Sequence, residues 1–473
     1  MAEAVHQETR MFLAGICGAG MSSLALLLQS MGVHVRGSDL SSDSREARRL
    51  GDHGIEVLSE AAAVSRLEPD EVFVRSSAIT DENAVYAAAR ALGMQILHRS
   101  DVLAQLASRH FLIAVAGTHG KTTTTGMTGY VLAHLGFVPT IYVGGRILGF
   151  DNPFPLYDPD RPCVDGRPVM VLETDESDRS FLKFHPDVSV ITNIDADHLG
   201  AYGGSFQQLT QAFEQFCRQT ALRGGTVIGC ADDAEVSRMV QGLPRHVLYG
   251  SGASSDVHMS YETATNTALI LRGDQECRLA MEHGDRVAYL NALAACLSCE
   301  AAGALFDEAL RAIASFPGME RRMQVLCDSP SGLVLTDHAD HPTEIRATLE
   351  AIRTRYPGKH VVLVLQPHRY SRVASCVDGY GPAAHGASRV FLLDIFPAGE
   401  RVGDPDQLNA ALRNSIHQAV GSALEPRTSV EQLFEKLRDL AGGGSVIVFM
   451  GPGDVNGLAL TFAALLTGGN TVE

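Results

Sequence analysis

Lys121 and Thr122 sit inside the run Ala116-Gly-Thr-His-Gly-Lys-Thr-Thr-Thr-Thr125, and this is where the residues best suited to chemistry are densest. An ammonium and a hydroxyl that follow a glycine-rich turn and open a helix suit the phosphates of a nucleotide. Backbone N–H groups of Gly117, Thr118, His119 and Gly120 would wrap the anion, and the helix N-terminus, with Thr123 in its first turn, would face it. Lys121 would reach the β- and γ-phosphates, and Thr122 could hold Mg²⁺. Val115 stands where the general G-x-x-x-x-G-K-[ST] pattern has glycine, so the turn is tighter than usual. The plainer reading is a glycine-rich strand–helix turn with a chance Lys-Thr.

Further acidic and basic clusters recur after apolar runs. Val169-Met-Val-Leu-Glu173-Thr-Asp-Glu176-Ser-Asp178 and Val188-Ser-Val-Ile-Thr-Asn193-Ile-Asp-Ala-Asp197-His198 both read as apolar strands that end in acidic clusters. Carboxylates at the tips of parallel strands beside a phosphate loop are one way to hold Mg²⁺ near ATP; solvated acidic loops are the other reading. Asp337-His-Ala-Asp-His341-Pro-Thr-Glu344, Gln366-Pro-His368-Arg369-Tyr-Ser-Arg372 and Gly451-Pro-Gly-Asp454 offer His and Arg that fit carboxylate or phosphate recognition. Polar loop networks would look the same.

The elements that must position these residues read as strands alternating with helices. Phe111–Val115 is a short apolar run, hence a buried strand, and Met127, Val131, Leu132 and Leu135 give the next helix its apolar positions. Upstream, Met11–Ala14, then Gly15-Ile-Cys-Gly-Ala-Gly20-Met-Ser22, then an apolar helix through Leu28 and a strand ending at Asp39 make a βαβ unit. Cys17 replaces the first glycine of a dinucleotide fingerprint. Gly18 and Gly20 still permit close approach of a pyrophosphate, with Ala19, Met21 and Ser22 beside them, and Asp39 lies where an acid meets a ribose or base. A tight strand–helix turn is equally consistent. Val72-Phe-Val-Arg-Ser76-Ser77-Ala78 reads as a strand running into a small-residue loop, a ligand position in open α/β sheets. Strands at Leu333–Thr336, His360–Leu365, Arg389–Leu393 and Ser445–Met450, separated by helices, predict a further parallel α/β domain.

Composition narrows the classes. A chain of 473 residues exceeds one typical domain, and a net charge of −17 opposes nucleic acid as a main partner. No apolar run reaches the ~18 residues of a transmembrane helix. The polar start, Met1 to Arg10, lacks a signal-peptide profile, so nine cysteines read as reduced thiols of a cytoplasmic chain. Cys296 and Cys299 form a C-x-x-C, but within the Ala-rich helical pattern Leu290–Ala304 they read as buried helix residues.

In this order the motifs resemble the Mur ligase family, the ATP-dependent amide-forming enzymes of peptidoglycan precursor synthesis. The resemblance runs from Phe12 to about Leu460 and also takes in Tyr202, Gly318 and Ala398-Gly-Glu400. It implies an α/β fold of three domains: a Rossmann-like UDP-sugar domain over 1–108, a central P-loop ATPase-like domain with a mostly parallel sheet over 109–322, and a Rossmann-like amino-acid domain over 323–473. It implies ATP and Mg²⁺ as cofactors. Its partners are small molecules: UDP-N-acetylmuramate, ATP and an amino acid, L-alanine before a recycled tripeptide. By resemblance Lys121, Glu173 and His198 are catalytic, and Thr122, Glu173 and His198 hold metal. Asn193, Asn291, Arg321, Arg322 and Asp337 would join the loop in binding ATP or the intermediate. Gly18–Ser22, Asp39, Ser76, Ser77, His341, His368 and Arg369 would bind the other substrates. The chain departs from the family at Val287 and Ala288, where His-Asn is usual near adenine, and at Asp340, where members that add L-alanine carry His. Cys17 is shared with the tripeptide-adding members. A nicotinamide-dependent dehydrogenase would fit the Rossmann-like start but not Lys121-Thr122 and the acidic tips. A non-catalytic binding protein on this scaffold is the reading from a different class.

Overall fold

The computed structural model describes residues 8–150, 163–282 and 284–468; the first seven residues of the polar N-terminal stretch lie outside them. Two compact units divide near Pro317. Among the described residues the first unit holds two sheets and the second holds one.

The first sheet has strands β1 (Arg10–Ala14), β2 (His34–Asp39), β3 (Glu56–Ser59), β4 (Val72–Arg75) and β5 (Gln95–His98), in the order β3-β2-β1-β4-β5. Every pairing is parallel. The chain reverses its direction of travel across the sheet between β1 and β4. A crevice opens at such a switch point, at the carboxyl ends of the strands. The turns after β1 and β4, carrying Gly15–Ser22 and Ser76–Ser77, flank it.

The second sheet runs β14-β13-β12-β11-β10-β9-β6-β8-β7. Its strands are β6 (Phe111–Ala116), β7 (Thr140–Tyr142), β8 (Val169–Glu173), β9 (Val188–Ile191), β10 (Thr226–Cys230), β11 (His246–Gly250), β12 (Val257–Glu262), β13 (Thr267–Arg272) and β14 (Gln275–Ala280). All six residues of β6 are buried, as expected of a central parallel strand covered on both faces. Its neighbours β8 and β9 are parallel to it, and Val115 pairs with Glu173 while Ala116 pairs with Ile191. That register brings the tips of β8 and β9 to either side of the loop that follows β6. The helix Lys121–His134 then packs back with Met127, Val131 and Leu132 buried. Leu135 falls on the cap and is half-buried. The meander β12–β14 adds antiparallel strands at the far edge. The Ala-rich helix spans Arg286–Ala301, earlier at both ends than the apolar pattern predicts: Asp285 sets its start by accepting from Ala288 N, and Ala302 caps its end. Cys296 and Cys299 are fully buried on it with free thiols.

The third sheet, β15-β16-β19-β17-β18, comprises β15 (Gln324–Ser329), β16 (Gly332–Asp337), β17 (Val361–Leu365), β18 (Arg389–Leu392) and β19 (Val446–Met450). Its core alternates with period two: Leu333, Leu335, Leu363 and Val448 fill one face, Val334, Val364, Ile447 and Phe449 the other. Each fully buried side chain of this size contributes about 1.5–3 kcal/mol. One strand departs from the parallel expectation. β15 pairs antiparallel with β16 because only Pro330 and Ser331 separate them, which permits a hairpin and no crossover.

Candidate active site

The loop after β6 is shaped by its two glycines. Gly117 has φ 136°, and a Cβ there would lie 2.0 Å from Thr192 Oγ1. Gly120 has φ 83° and caps the helix without a side chain; a Cβ there would come 2.9 Å from Asn291 Oδ1. Only glycine suits both places. Thr192 and Asn193, at the tip of β9, fasten the loop. Thr192 Oγ1 donates to His119 O at 2.6 Å, His119 N donates to Asn193 Oδ1 at 2.9 Å, and Asn193 Nδ2 donates back to His119 O at 3.0 Å. Thr118 Oγ1 accepts from Asp195 N at 2.8 Å, and the His119 ring meets Asp195 at 3.0 Å. These bonds leave His119 and Asn193 as braces of the loop. Asn291 packs against Gly120.

Lys121 folds back over its own loop, donating to Gly117 O and to Thr118 O. It also pairs with Glu176 Oε2 at 2.8 Å. Burial alone would lower its pKa; the charge and hydrogen bond of Glu176, with Glu173 and Asp175, outweigh burial and raise it. Thr122 Oγ1 donates to Glu173 Oε1 at 2.7 Å, and Glu173 Oε2 accepts from Gly144 N at 2.6 Å. A hydroxyl and a carboxylate in contact form an oxygen donor set that fits Mg²⁺. His198 adopts φ 56° at the start of the 3-10 turn Leu199–Tyr202, and its Nδ1 meets Glu176 Oε1 at 3.1 Å. The expected metal group is therefore arranged as a Thr122–Glu173 pair and a His198–Glu176 pair.

The segment Asp175–Asp178 also faces the first sheet. Asp175 accepts from Arg99 Nη2 at 3.1 Å, and Asp178 accepts from Ser77 Oγ at 2.6 Å. Ser77 Oγ also meets His98 Nε2 at 3.1 Å. Arg99 reaches the turn after β1 as well, since a Cβ on Gly20 would clash with its guanidinium. On that turn Gly18 caps the helix Ala19–Ser30 with no side-chain cap, so the first N–H groups, at Ala19, Gly20 and Met21, remain for an anion. The Met21 side chain is buried, and the Ser22 hydroxyl donates to Ala19 O. Asp39 closes the turn by accepting from Cys17 N at 2.9 Å and Ser41 N at 3.0 Å. Ser76 supplies its carbonyl to Ile79 N. Nothing in the local letter pattern marked Arg99 or His98; parallel strand pairing brings them in.

In the second unit the tips of β16, β19 and β17 lie side by side, and Asp337 and Leu365 both pair with Met450. Asp337 is buried and spent on the backbone, accepting from Met323 N at 2.7 Å and Ala339 N at 2.8 Å; burial raises its pKa. Arg321 donates to Gly451 O at 3.0 Å, so it and Arg322 pack with this unit and not with the sheet of the phosphate loop. His341 caps the helix Pro342–Arg355, with its Nδ1 accepting from Thr343 N. His368 stacks on Phe396, and Arg369 opens the next helix at φ 65°. Asp340 is buried and pairs with Arg372 at 2.9 Å, a pairing that the sequence did not indicate. Val287 is half exposed on its helix, with Ala288 N held by the Asp285 cap.

The chain matches three descriptions in order: "Mur ligase family, catalytic domain" over residues 13–111, "Mur ligase middle domain" over 115–299 and "Mur ligase, glutamate ligase domain" over 321–453. It is 34% identical to the UDP-N-acetylmuramate–L-alanine ligase of Halorhodospira halophila, over 97% of this chain and 94% of that one. It is 35% identical to the protein of the same name in Symbiobacterium thermophilum, over 96% and 93%. Among solved structures, the UDP-N-acetylmuramate–alanine ligase of Thermotoga maritima superposes with a TM-score of 0.79 at 25% identity, covering 98% of this chain and all of that one. The murein peptide ligase of Psychrobacter arcticus shares the fold, with a TM-score of 0.71 at 22% identity over 98% of this chain and all of its own.

Proposed function

Since the chain belongs to the Mur ligase family, we propose that it joins L-alanine to the lactyl carboxylate of UDP-N-acetylmuramate, consuming ATP and releasing ADP and phosphate. The product is a peptidoglycan precursor. The observation that carries this reading is the glycine-shaped loop that presents Lys121, paired with Glu176, next to Thr122, bonded to Glu173 at the tip of β8.

The chemistry follows from charge. A carboxylate oxygen attacks the γ-phosphorus, the bond to the β-phosphate oxygen breaks, and ADP leaves. The amine of the amino acid then attacks the acyl phosphate carbon, loses a proton, and phosphate departs. Both reactants of the first step are anions, so catalysis is positioning plus cationic neutralisation. Lys121 would stabilise charge developing on the γ-phosphate. Thr122, Glu173 and His198 would hold Mg²⁺, which when bound screens phosphate charge. The N–H groups at Ala19–Met21, with Ser77 nearby, would take the UDP-sugar, with Asp39 toward its ribose or base. His341, His368 and Arg369 would receive the amino acid or the transferred phosphoryl group, and Asn193 and Asn291, beside the loop, the ATP. The reaction would run in the cytoplasm and serve cell-wall growth and division; no described helix is long and apolar enough to cross a membrane.

The tripeptide-adding alternative is less favoured, because the relatives at 34% and 35% identity carry the alanine ligase name along their length. Phosphate release with UDP-N-acetylmuramate and ATP, offered L-alanine, glycine, L-serine or the tripeptide separately, tests the choice. L-alanine should support the highest kcat/KM. Strict dependence on the tripeptide would overturn the proposal, and no turnover with any acceptor would favour a binding protein.

A further inference from the structure

Glu176 takes no chemical step in the reaction just described, yet contacts hold both its side chain and its backbone. Its side chain is 2% exposed. One oxygen, Oε1, meets both Lys121 Nζ at 3.0 Å and His198 Nδ1 at 3.1 Å. Its backbone carbonyl accepts from Tyr202 Oη at 2.6 Å and from Arg179 N at 3.0 Å. Tyr202 is fully buried and ends the same 3-10 turn that His198 begins. The turn therefore closes a ring: Glu176 to His198, along the chain to Tyr202, and back to Glu176. His198 is held in a left-handed conformation that a side chain adopts only under local constraint.

This ring fixes a proton. A carboxylate paired with an ammonium only accepts hydrogen bonds, so the His198 nitrogen facing it must be the donor. The other nitrogen, Nε2, has Asp197 Oδ2 at 3.7 Å, beyond hydrogen-bond distance.

We propose that Glu176 is a positioning residue that sets His198 as its Nδ1–H tautomer and leaves the Nε2 lone pair available for coordination. Imidazole ligands elsewhere are oriented in this way by a carboxylate on the non-ligating nitrogen. Glu176 serves at the same time as the anchor of Lys121, so one carboxylate orders the two groups that most need fixed direction. The inference takes its purpose from the ligase reading above, but its primary readout does not require turnover.

The test uses ¹⁵N spectra of the histidine side chains in the nucleotide-free full-length protein, at alkaline pH where imidazole is neutral. His198 is assigned from the resonance lost in His198→Gln. The expected wild-type signature is Nδ1–H; an Nε2–H signature overturns the proposal, whether or not the enzyme turns over. Glu176→Ala should shift His198 toward Nε2–H, and should weaken Mn²⁺ binding in the presence of ADP about 10–100-fold by electron paramagnetic resonance. Unchanged tautomer or unchanged Mn²⁺ affinity in a variant that still melts cooperatively would overturn it. Should that variant not fold, the wild-type tautomer decides alone. Failure of the ligase reading would show separately, as no phosphate release from the wild type.

Discussion

Ser77 Oγ donates to Asp178 Oδ2 at 2.6 Å, which ties the loop after β4 to the loop after β8. The crevice of the first sheet and the phosphate loop of the second thus share a wall. Two residues earlier on the same loop, Glu176 holds Lys121.

Ser77→Ala removes that tie. It should raise KM for UDP-N-acetylmuramate by up to about tenfold, the equivalent of one hydrogen bond, while KM for ATP changes little. Initial-rate kinetics with each substrate varied in turn would check this. An equal rise in both constants would mean that Ser77 supports the fold and not the sugar site.

Lys121→Ala should lower kcat by about 10²–10³-fold or more, as expected when a group that stabilises transition-state charge is lost. The sequence alone suggests that folding is barely affected. The structure adds a cost, because Glu176 is left buried without its ammonium. Breaking a buried pair costs about 3 kcal/mol or somewhat more, and the partial exposure of Lys121 puts this case at the low end. Urea unfolding of the variant should therefore show a lower midpoint. Full activity would sink the assignment of this loop.

Asp340→Ala should destabilise the second unit by about 3 kcal/mol, since it removes a buried carboxylate that pairs with Arg372 at 2.9 Å. Loss of the carboxylate would also change the local charge, so the ranking of L-alanine, glycine and L-serine by kcat/KM should shift. A variant as stable as the parent, with the same ranking, would show the pair to be inert.

Acid should weaken this unit through its histidines. Burial, then Arg369 and Arg372, push His368 down from 6.5 to about 4. Burial with Arg322 and Arg321 pushes His338 well below its usual value. Between the folded and unfolded values the unfolded chain binds more protons, so stability rises with pH there. The contribution of His368 is complete above about pH 6.5 and is lost as pH falls toward 4. Urea midpoints measured across that window should fall with acidification, and His368→Gln should flatten the slope. An identical slope in both proteins would refute the assignment to His368.

Much of this was legible in the letters. Phe111–His134 reads directly as strand, tight glycine turn and helix, because burial and φ constraints act on neighbours in sequence. Glu173 was legible because an apolar run ends on it. Glu176 was visible only as one acid in a cluster, since nothing local says which of Asp175, Glu176 and Asp178 faces which loop. Arg99 and His98 reach the site through strand pairing across more than one crossover, and no spacing rule marks that. Asp340 stood out by charge, but its partner Arg372 lies on the following strand–helix unit. The hairpin of β15 and β16 was missed because Pro330-Ser331 is a short turn inside what reads as loop.

The segment Asp175–Asp178 has a consequence for drug resistance. Asp175 and Asp178 bond toward the first sheet, while Glu176 between them bonds toward Lys121 and His198. An inhibitor anchored on this stretch would press on a surface with little freedom to mutate. Any escape substitution there would disturb Arg99 and Ser77 on one side or Lys121 and His198 on the other.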